Sequence, residues 1–597
     1  MTGLLLWALG VYGQNFSEYA LTPPMGWNSW DCFGPTVTEP EVRANADYMA
    51  THLKECGWEY IVVDIRWYVE NDKAHGYNQQ DAIIVMDEYG RLMPAVNRFP
   101  SASGGKGFKP LADYVHGKGL KFGIHLMRGI PKLAVEKNTP VLGTDVRAKD
   151  VYNTQQLCQW LGDMYTVDAT KQGAQAYYNS VFELYASWGI DFIKIDDLSR
   201  PYHKAEIEMI RKAIDRCGRP IVLSTSPGET PIEYAGHIST HANMWRIIDD
   251  FWDNWSQLDA HFSLFEKWIS HMGPGHWPDG DMLPLGRIGI RAERGDDRMS
   301  RFTTDEQYTL MSLFTICRSP LMFGGNLPDN DAFTHSLLTN KEVLDVLHEG
   351  RNNRPLLNDG ERIIWAADGP SSHIKYAALF FTDSQKPILE SKALWSSQRI
   401  TYKPGEQSTP VQVRIAGAEK LYLVVTDGND GSHWDHANWI EPKLTGKKGT
   451  LFLTDIKWEN ASSGWGSTAV NKSVGGNPLN VNGVEYENGI GTHSKSIIEY
   501  HIPEGYDTFT ALAGLDRECV DHSEGATVRF HVFTDYPTGS PPQDSVQIRL
   551  DFKQLGLTGM CTVRDLWIQE NIGDYENEIS ISVRKHGARL LEIRSVE

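Results

Sequence analysis

From about residue 22 to residue 350, short runs of apolar residues alternate with longer stretches whose apolar positions recur at helical spacing. That alternation is the mark of repeated strand and helix units around a parallel sheet. Eight strands are predicted: Met25–Trp30, Tyr60–Trp67, Leu120–Met127, Ile190–Asp196, Ile221–Ser226, Met244–Asp249, a short one near Trp277, and one around Leu321–Gly324. Helical spacing over Pro40–Glu55, Gln172–Trp188 and Lys204–Cys217 gives segments long enough for right-handed crossovers. Eight such units predict a (β/α)8 TIM barrel over residues 20–350. Past residue 350 the pattern changes to short alternating strands separated by Gly, Asn and Pro turns, which predicts antiparallel β-structure. ERIIWAAD and KYAALFFTD before residue 390, and VQIRLDF, TVRDLW, EISISV and ARLLEIR after residue 537, read as strands of one sandwich built from 351–389 and 538–597. The Gly-, Asn- and Trp-rich block 390–537 between them reads as a separate inserted β-domain.

A length of 597 residues exceeds what one ordinary core organises, in keeping with several domains. The formal charge of −20, with no basic patch, argues against a nucleic-acid partner. Seven cysteines, odd in number and lacking metal-ligand spacing, indicate neither a disulfide framework nor a zinc site. The opening apolar stretch, residues 1–13, resembles the core of a secretory leader, which predicts a secreted or periplasmic location. No later run approaches the roughly 18 apolar residues that a membrane span needs.

In a barrel of this kind functional residues lie at the C-terminal ends of strands. Six predicted strands end in polar residues: MGWNSWD (Trp27 to Asp31), YIVVDIRW (Asp64, Arg66), FGIHLMR (His125, Arg128), FIKIDD (Lys194, Asp196, Asp197), MWRIIDD (Arg246, Asp249, Asp250) and HWPDGDM (Asp279, Asp281). A single such end is as readily a solvated terminus or a helix cap; six together point to a site. Two carboxylates from different strands are the minimal equipment for glycoside hydrolysis, and Asp196 and Asp250 are the pair singled out. Lys194 precedes Asp196 by two positions, so both side chains share a face and the cation favours an ionised nucleophile. Arg246 supplies a second polar contact, and Trp245, Trp252 and Trp255 are candidates to desolvate Asp250. Acidic barrel loops also bind Mg²⁺ or Ca²⁺, so residue types alone leave both chemistries open.

At these residues the chain resembles glycoside hydrolase family 27, the α-galactosidases and α-N-acetylgalactosaminidases. The match is carried, in order, by MGWNSW at 25–30, Lys194-Ile195-Asp196, the WRxxxD of Trp245–Asp250, GPGHWPDGDML at 273–283 and SPLMFGGNL at 319–327. The resemblance implies a retaining exo-glycosidase needing neither metal nor cofactor, with Asp196 as nucleophile and Asp250 as acid/base. It further implies that Trp27, Asp64, Lys194 and Arg246 grip the terminal sugar of a carbohydrate substrate; His125, Ser226 and Asp281 are further candidate substrate-binding residues. The tail resembles the family's C-terminal sandwich. LTDIKWENASSGWGS, NGVEYENGIGTHSKS and LAGLDRE in the insert resemble the galactose-binding-like module called NPCBM, with sugar binding and a spacer role both open.

Departures from the family pattern bear on the sugar. Where the family usually has two consecutive aspartates after the second strand, this chain reads Asp64-Ile65-Arg66, and a customary tyrosine after the third strand is His125. Small Ser226, after the fifth strand, keeps an N-acetyl group in play. The expectation is therefore an α-galactosidase-like hydrolase. α-N-acetylgalactosaminide, β-L-arabinopyranoside and α-1,6-glucan are alternative substrates, and a non-catalytic carbohydrate-binding protein is the alternative from another class. Arg66 and Arg128 either form salt bridges or admit an anionic substituent.

Overall fold

The computed structural model describes residues 16–596 apart from 293, 383–386, 523, 524, 540 and 542. The predicted leader at 1–13 lies outside the described residues. Contacts divide the chain into two compact units: one runs to residue 384 and resumes at 544, and the other spans 385–543. The predicted insert, 390–537, falls inside the second.

The first unit opens with eight parallel strands: β1 (Met25–Asn28), β2 (Tyr60–Val63), β3 (Lys121–Met127), β4 (Phe192–Asp196), β5 (Val222–Thr225), β6 (Met244–Arg246), β7 (Trp277–Asp279) and β8 (Leu321–Phe323). They are neighbours in chain order from β1 to β7, and β8 pairs with β1. A bridge from Leu283, just past β7, to Phe323 on β8 closes the ring. Helices α1 (Glu39–His52), α2 (Lys109–Gly117), α3 (Ala174–Ser187), α4 (Lys204–Arg216), α5 (Trp255–Trp268) and α6 (Thr304–Ile316) make the longer crossovers.

Period-two alternation sorts each strand into two cores. Trp27, Ile61, Val63, Ile193, Ile195, Leu223 and Trp245 belong to the layer between barrel and helices. Tyr60, Val62, Phe192, Val222, Met244, Trp277 and Met322 fill the barrel interior. Climbing two residues from the apolar interior layer brings Asp64, Lys194, Ser224, Arg246 and Asp279, and two further residues bring Asp196, Ser226 and Asp281. The apolar floor excludes water from below, and the polar tiers stand at the C-terminal ends, where the chemistry of this fold resides.

A six-stranded antiparallel sheet follows: Arg351–Asn358, Arg362–Asp368, Ile374–Phe381, Ala588–Ser595, Met560–Asp565 and Glu570–Glu576. It packs with the pair Ser545–Asp551 and Glu578–Arg584 around Ile364, Leu379, Ile548, Leu550, Leu591 and Ile593. The second unit is a β-sandwich of its own. One sheet contains Lys420–Thr426, Ser496–His501 and Thr527–Phe533; the other contains Ser408–Arg414, His436–Gly446, Gly489–His493 and Tyr506–Leu515. Its core centres on Trp439, edge-on to Phe530 at 4.9 Å. No helix among the described residues is long and apolar enough to cross a membrane.

Close strand approach makes Gly26 a demanding position: a Cβ there meets the Tyr60 carbonyl oxygen and Cβ, each at 2.6 Å. Gly26→Ala is expected to destabilise the first unit by about 1–3 kcal/mol. Gly117, at the end of α2, has open space around it, and Gly117→Ala is expected to leave stability unchanged or raise it by up to about 1 kcal/mol. Denaturant midpoints of the two variants check both signs.

Candidate active site

Above the interior layer an open cavity of about 700 Å³ is lined at its base by Trp30, Asp31, Asp64, Ile65, Lys194, Asp196, Arg246, Asp250 and Asp281. β2 delivers Asp64, β4 delivers Lys194 and Asp196, β6 delivers Arg246, and the turns after β6 and β7 deliver Asp250 and Asp281. Tyr77, Trp160, Arg200, Asp249 and Trp252 stand higher on the wall. Trp30 stacks on Tyr77 at 6.0 Å, and Tyr77 meets Trp160 at 6.1 Å, so one side of the opening is aromatic.

Asp64 is fixed from three sides. Its Oδ2 accepts from Asn28 Nδ2 at 2.7 Å and from Lys194 Nζ at 3.1 Å, while its Oδ1 accepts from the Ile65 amide at 2.7 Å. Burial acts to raise its pKa, but Lys194 and His125 prevail and hold the carboxyl below the ordinary range. Asp196 is governed in the same way. Burial opposes ionisation, yet His125, Lys194 and Arg246 together hold its carboxyl well below the usual carboxylate range. His125 Nε2 lies 3.1 Å from Asp196 Oδ2, whereas Asp196 Oδ1 is buried with no hydrogen-bond partner. The cation predicted to ionise Asp196 thus bonds Asp64 directly, and His125 is the nearer partner of Asp196.

Arg246 bridges the other pair: Nη1 to Asp281 Oδ1 at 2.8 Å and Nη2 to Asp250 Oδ1 at 3.2 Å. Asp281 also accepts from the Phe251 amide at 2.8 Å, which ties the Asp250 turn to the end of β7. Burial raises the Asp281 carboxyl against the pull of Arg246, and burial together with Asp281 pushes Asp279 up to about 7. Asp250 keeps 46% of its side chain exposed. Of the three tryptophans expected to enclose it, only Trp252 lines the cavity; Trp245 packs on Trp268 in the outer layer and Trp255 stacks on His586.

Three other expectations are placed differently. Trp27 is fully buried, its indole donating to the Gly325 carbonyl at 2.8 Å, so it supports the wall from behind and Trp30 takes the cavity position. Ser226 lies beneath the cavity, 3.4 Å from Arg246 Nη1, and the wall above it is Pro227 and Gly228. His125, wholly buried, reaches Asp196 and not the open volume. Arg66 and Arg128 are spent on carboxylates. Arg66 pairs with Asp72 and Asp163, both at 3.2 Å, and Arg128 pairs with Asp197 and Glu206, both at 2.6 Å. The wall residues Tyr77 and Trp160 come from long connections after β2 and β3, where no periodicity in the sequence marks them.

The Alpha galactosidase A family matches residues 22–135 and 142–349, its C-terminal beta sandwich domain matches 535–593, and the NPCBM/NEW2 domain matches 386–445 and 449–541. The chain is 30% identical to an alpha-galactosidase of Cyamopsis tetragonoloba over 68% of its own length and 86% of that protein's. It is 29% identical to an alpha-N-acetylgalactosaminidase of Gallus gallus over 58% and 73% of the respective lengths. Among solved structures, a family 27 β-L-arabinopyranosidase of Geobacillus stearothermophilus in complex with arabinose covers 98% of this chain and 99% of its own, with 38% identity and a TM-score of 0.69. The chain belongs to the alpha-galactosidase A family of glycoside hydrolases.

Proposed function

We propose that the enzyme is a retaining exo-glycosidase for a terminal sugar of galacto configuration that carries no hydroxymethyl group, a β-L-arabinopyranoside, with Asp196 as nucleophile and Asp250 as acid/base. Asp196 attacks the anomeric carbon while the Asp250 carboxylic acid gives its proton to the departing glycosidic oxygen. The resulting glycosyl ester is released when the Asp250 carboxylate takes a proton from a water that attacks the same carbon and frees Asp196. The ionised carboxylate of Asp196, one oxygen of which has no hydrogen-bond partner, suits attack, and the half-exposed Asp250 is open to the water that attacks in the second step.

The observation that carries the choice of sugar is Ile65. It lines the cavity beside Asp64 and presents hydrocarbon where the family usually places a second carboxylate. Asp64 and Lys194 suffice for the ring hydroxyls nearest them. A hydroxymethyl oxygen turned toward Ile65 loses its water and gains no partner, a penalty of about 1–3 kcal/mol. β-L-Arabinopyranose is the α-galactopyranose ring without that group, and the Geobacillus protein, similar over nearly its whole length, bears that activity in its name. A second reading, α-N-acetylgalactosaminide, draws on the low wall of Pro227 and Gly228.

Nitrophenyl β-L-arabinopyranoside is expected to give a kcat/KM roughly 5- to 150-fold above that of the α-galactoside, the equivalent of one unpaired hydroxyl. Ile65→Asn, which offers the missing partner, is expected to narrow that ratio at least about tenfold; α-N-acetylgalactosaminide as the fastest of the three substrates selects the second reading. Asp196→Asn is expected to lower kcat by at least about a thousandfold with an unchanged circular dichroism spectrum. Turnover retained in that variant overturns the assignment. His125→Asn removes the partner that, after burial, weighs most on Asp196. Its carboxyl then protonates at higher pH, so the acid limb of the kcat/KM profile is expected to move upward by about one unit.

A further inference from the structure

Away from the sugar cavity, three side chains from the connections after β4 and β5 converge. Glu208 lies on α4, His237 in the short helix Ala235–Ile238, and His241 four residues further on. One potential ligand atom from each lies within 4.8 Å of the other two. The imidazoles stack with centroids 4.0 Å apart and planes inclined by 19°, and His237 Nε2 is 3.3 Å from Glu208 Oε1.

What lifts this above a chance cluster is the far side of each ring. His241 Nδ1 lies 2.7 Å from the His237 carbonyl, which only accepts, so that nitrogen carries a proton and Nε2 is the atom left to meet a metal. His237 Nδ1 lies 2.6 Å from the Tyr202 hydroxyl, itself held by stacking on Tyr234 at 4.0 Å. Both rings are thus oriented through Nδ1, as metal-bound histidines ordinarily are. Tetrahedral zinc needs donor atoms about 3.4 Å apart, so binding draws the three partly exposed side chains together and turns the two rings out of their parallel stack.

We propose that Glu208, His237 and His241 form a site for a borderline divalent transition metal, zinc by preference, with water as fourth ligand. The ion clips the connection after β5 onto α4. Two nitrogens and one carboxylate oxygen match zinc better than calcium or magnesium, which take all-oxygen shells. α4 follows the strand that carries Asp196, and the connection after β5 carries Pro227 and Gly228, so the clip joins two segments that flank the sugar cavity.

The test uses the full-length protein stripped with a chelator and dialysed against ZnCl₂. One zinc per chain is expected at low micromolar free metal, with affinity reduced at least about tenfold in His241→Ala and in Glu208→Gln. Tyr202→Phe, which keeps all three ligands and loses only the Nδ1 partner of His237, is expected to weaken binding by roughly 10- to 100-fold. Cobalt in place of zinc is expected to give the intense visible bands of a tetrahedral site in the parent and not in His241→Ala. His241→Ala is expected to keep the parent's basal hydrolytic rate, since none of the three ligands lines the cavity. Failure to retain zinc, or equal zinc affinity in the parent and His241→Ala, overturns the proposal whatever the sugar specificity proves to be.

Discussion

Two cations shared among four carboxylates hold the mouth of the barrel together. Lys194 bonds Asp64 and pulls on Asp196; Arg246 bonds both Asp250 and Asp281. Asp64 stands at the end of β2, Lys194 and Asp196 on β4, Arg246 on β6 and Asp281 beyond β7. Charge balance therefore exists only once distant strands are in register in a closed ring. Taking either cation away leaves carboxylates buried without compensation, a loss of about 3–5 kcal/mol in comparable sites. The same register that closes the barrel places the nucleophile and acid candidates, Asp196 and Asp250, in the lining of one cavity.

The balance is deliberately incomplete. Asp31 also lines the base, with one oxygen unpartnered and its pKa raised well above normal by burial and by Asp281, and Asp279 below it is raised as well. An excess of carboxylate over cation suits a reaction whose transition state gathers positive charge on the sugar ring. The cost of concentrating negative charge before substrate arrives falls on Asp31 and Asp279, which burial drives toward the neutral acid. Asp64 and Asp196, next to Lys194 and His125, remain ionised.

A further pair of buried arginines gives the sugar wall its shape. Arg66 occupies the left-handed backbone region, with φ of 65°, which costs a non-glycine residue about 1–2 kcal/mol. Its guanidinium, wholly buried, is held by Asp72 and Asp163, and the Asn78 carbonyl accepts from it at 2.9 Å. The backbone reversal that sends Arg66 away leaves Ile65 on the cavity, so the two departures from the usual Asp-Asp pattern form one structural unit. Arg128 does equivalent work behind Asp196. It joins Asp197 and Glu206, while its own amide donates to the Asp196 carbonyl at 3.1 Å. Neither guanidinium is free to greet an anionic substituent.

The barrel was legible in the sequence because each strand is a short apolar run ending in charge, and composition and period suffice to find such runs. Which residues of a strand face the cavity was legible too, but only through strict alternation. In Met25-Gly26-Trp27-Asn28, Asn28 bonds Asp64 inside the barrel, so Trp27, one position away, has to face the helices. Trp30, two positions beyond Asn28, keeps the inward parity and reaches the cavity. The same parity explains Trp245 in the outer layer beside Arg246 in the inner one. Tyr77 and Trp160 obey no such rule. They sit on connections whose paths are fixed by contacts such as Arg66 with the Asn78 carbonyl and Gln79 with the Trp160 carbonyl, made between segments about 80 residues apart in the latter case. Long-range contacts of that kind leave no local periodic trace, which is why the strand-borne base of the cavity was readable and Tyr77 and Trp160 were not.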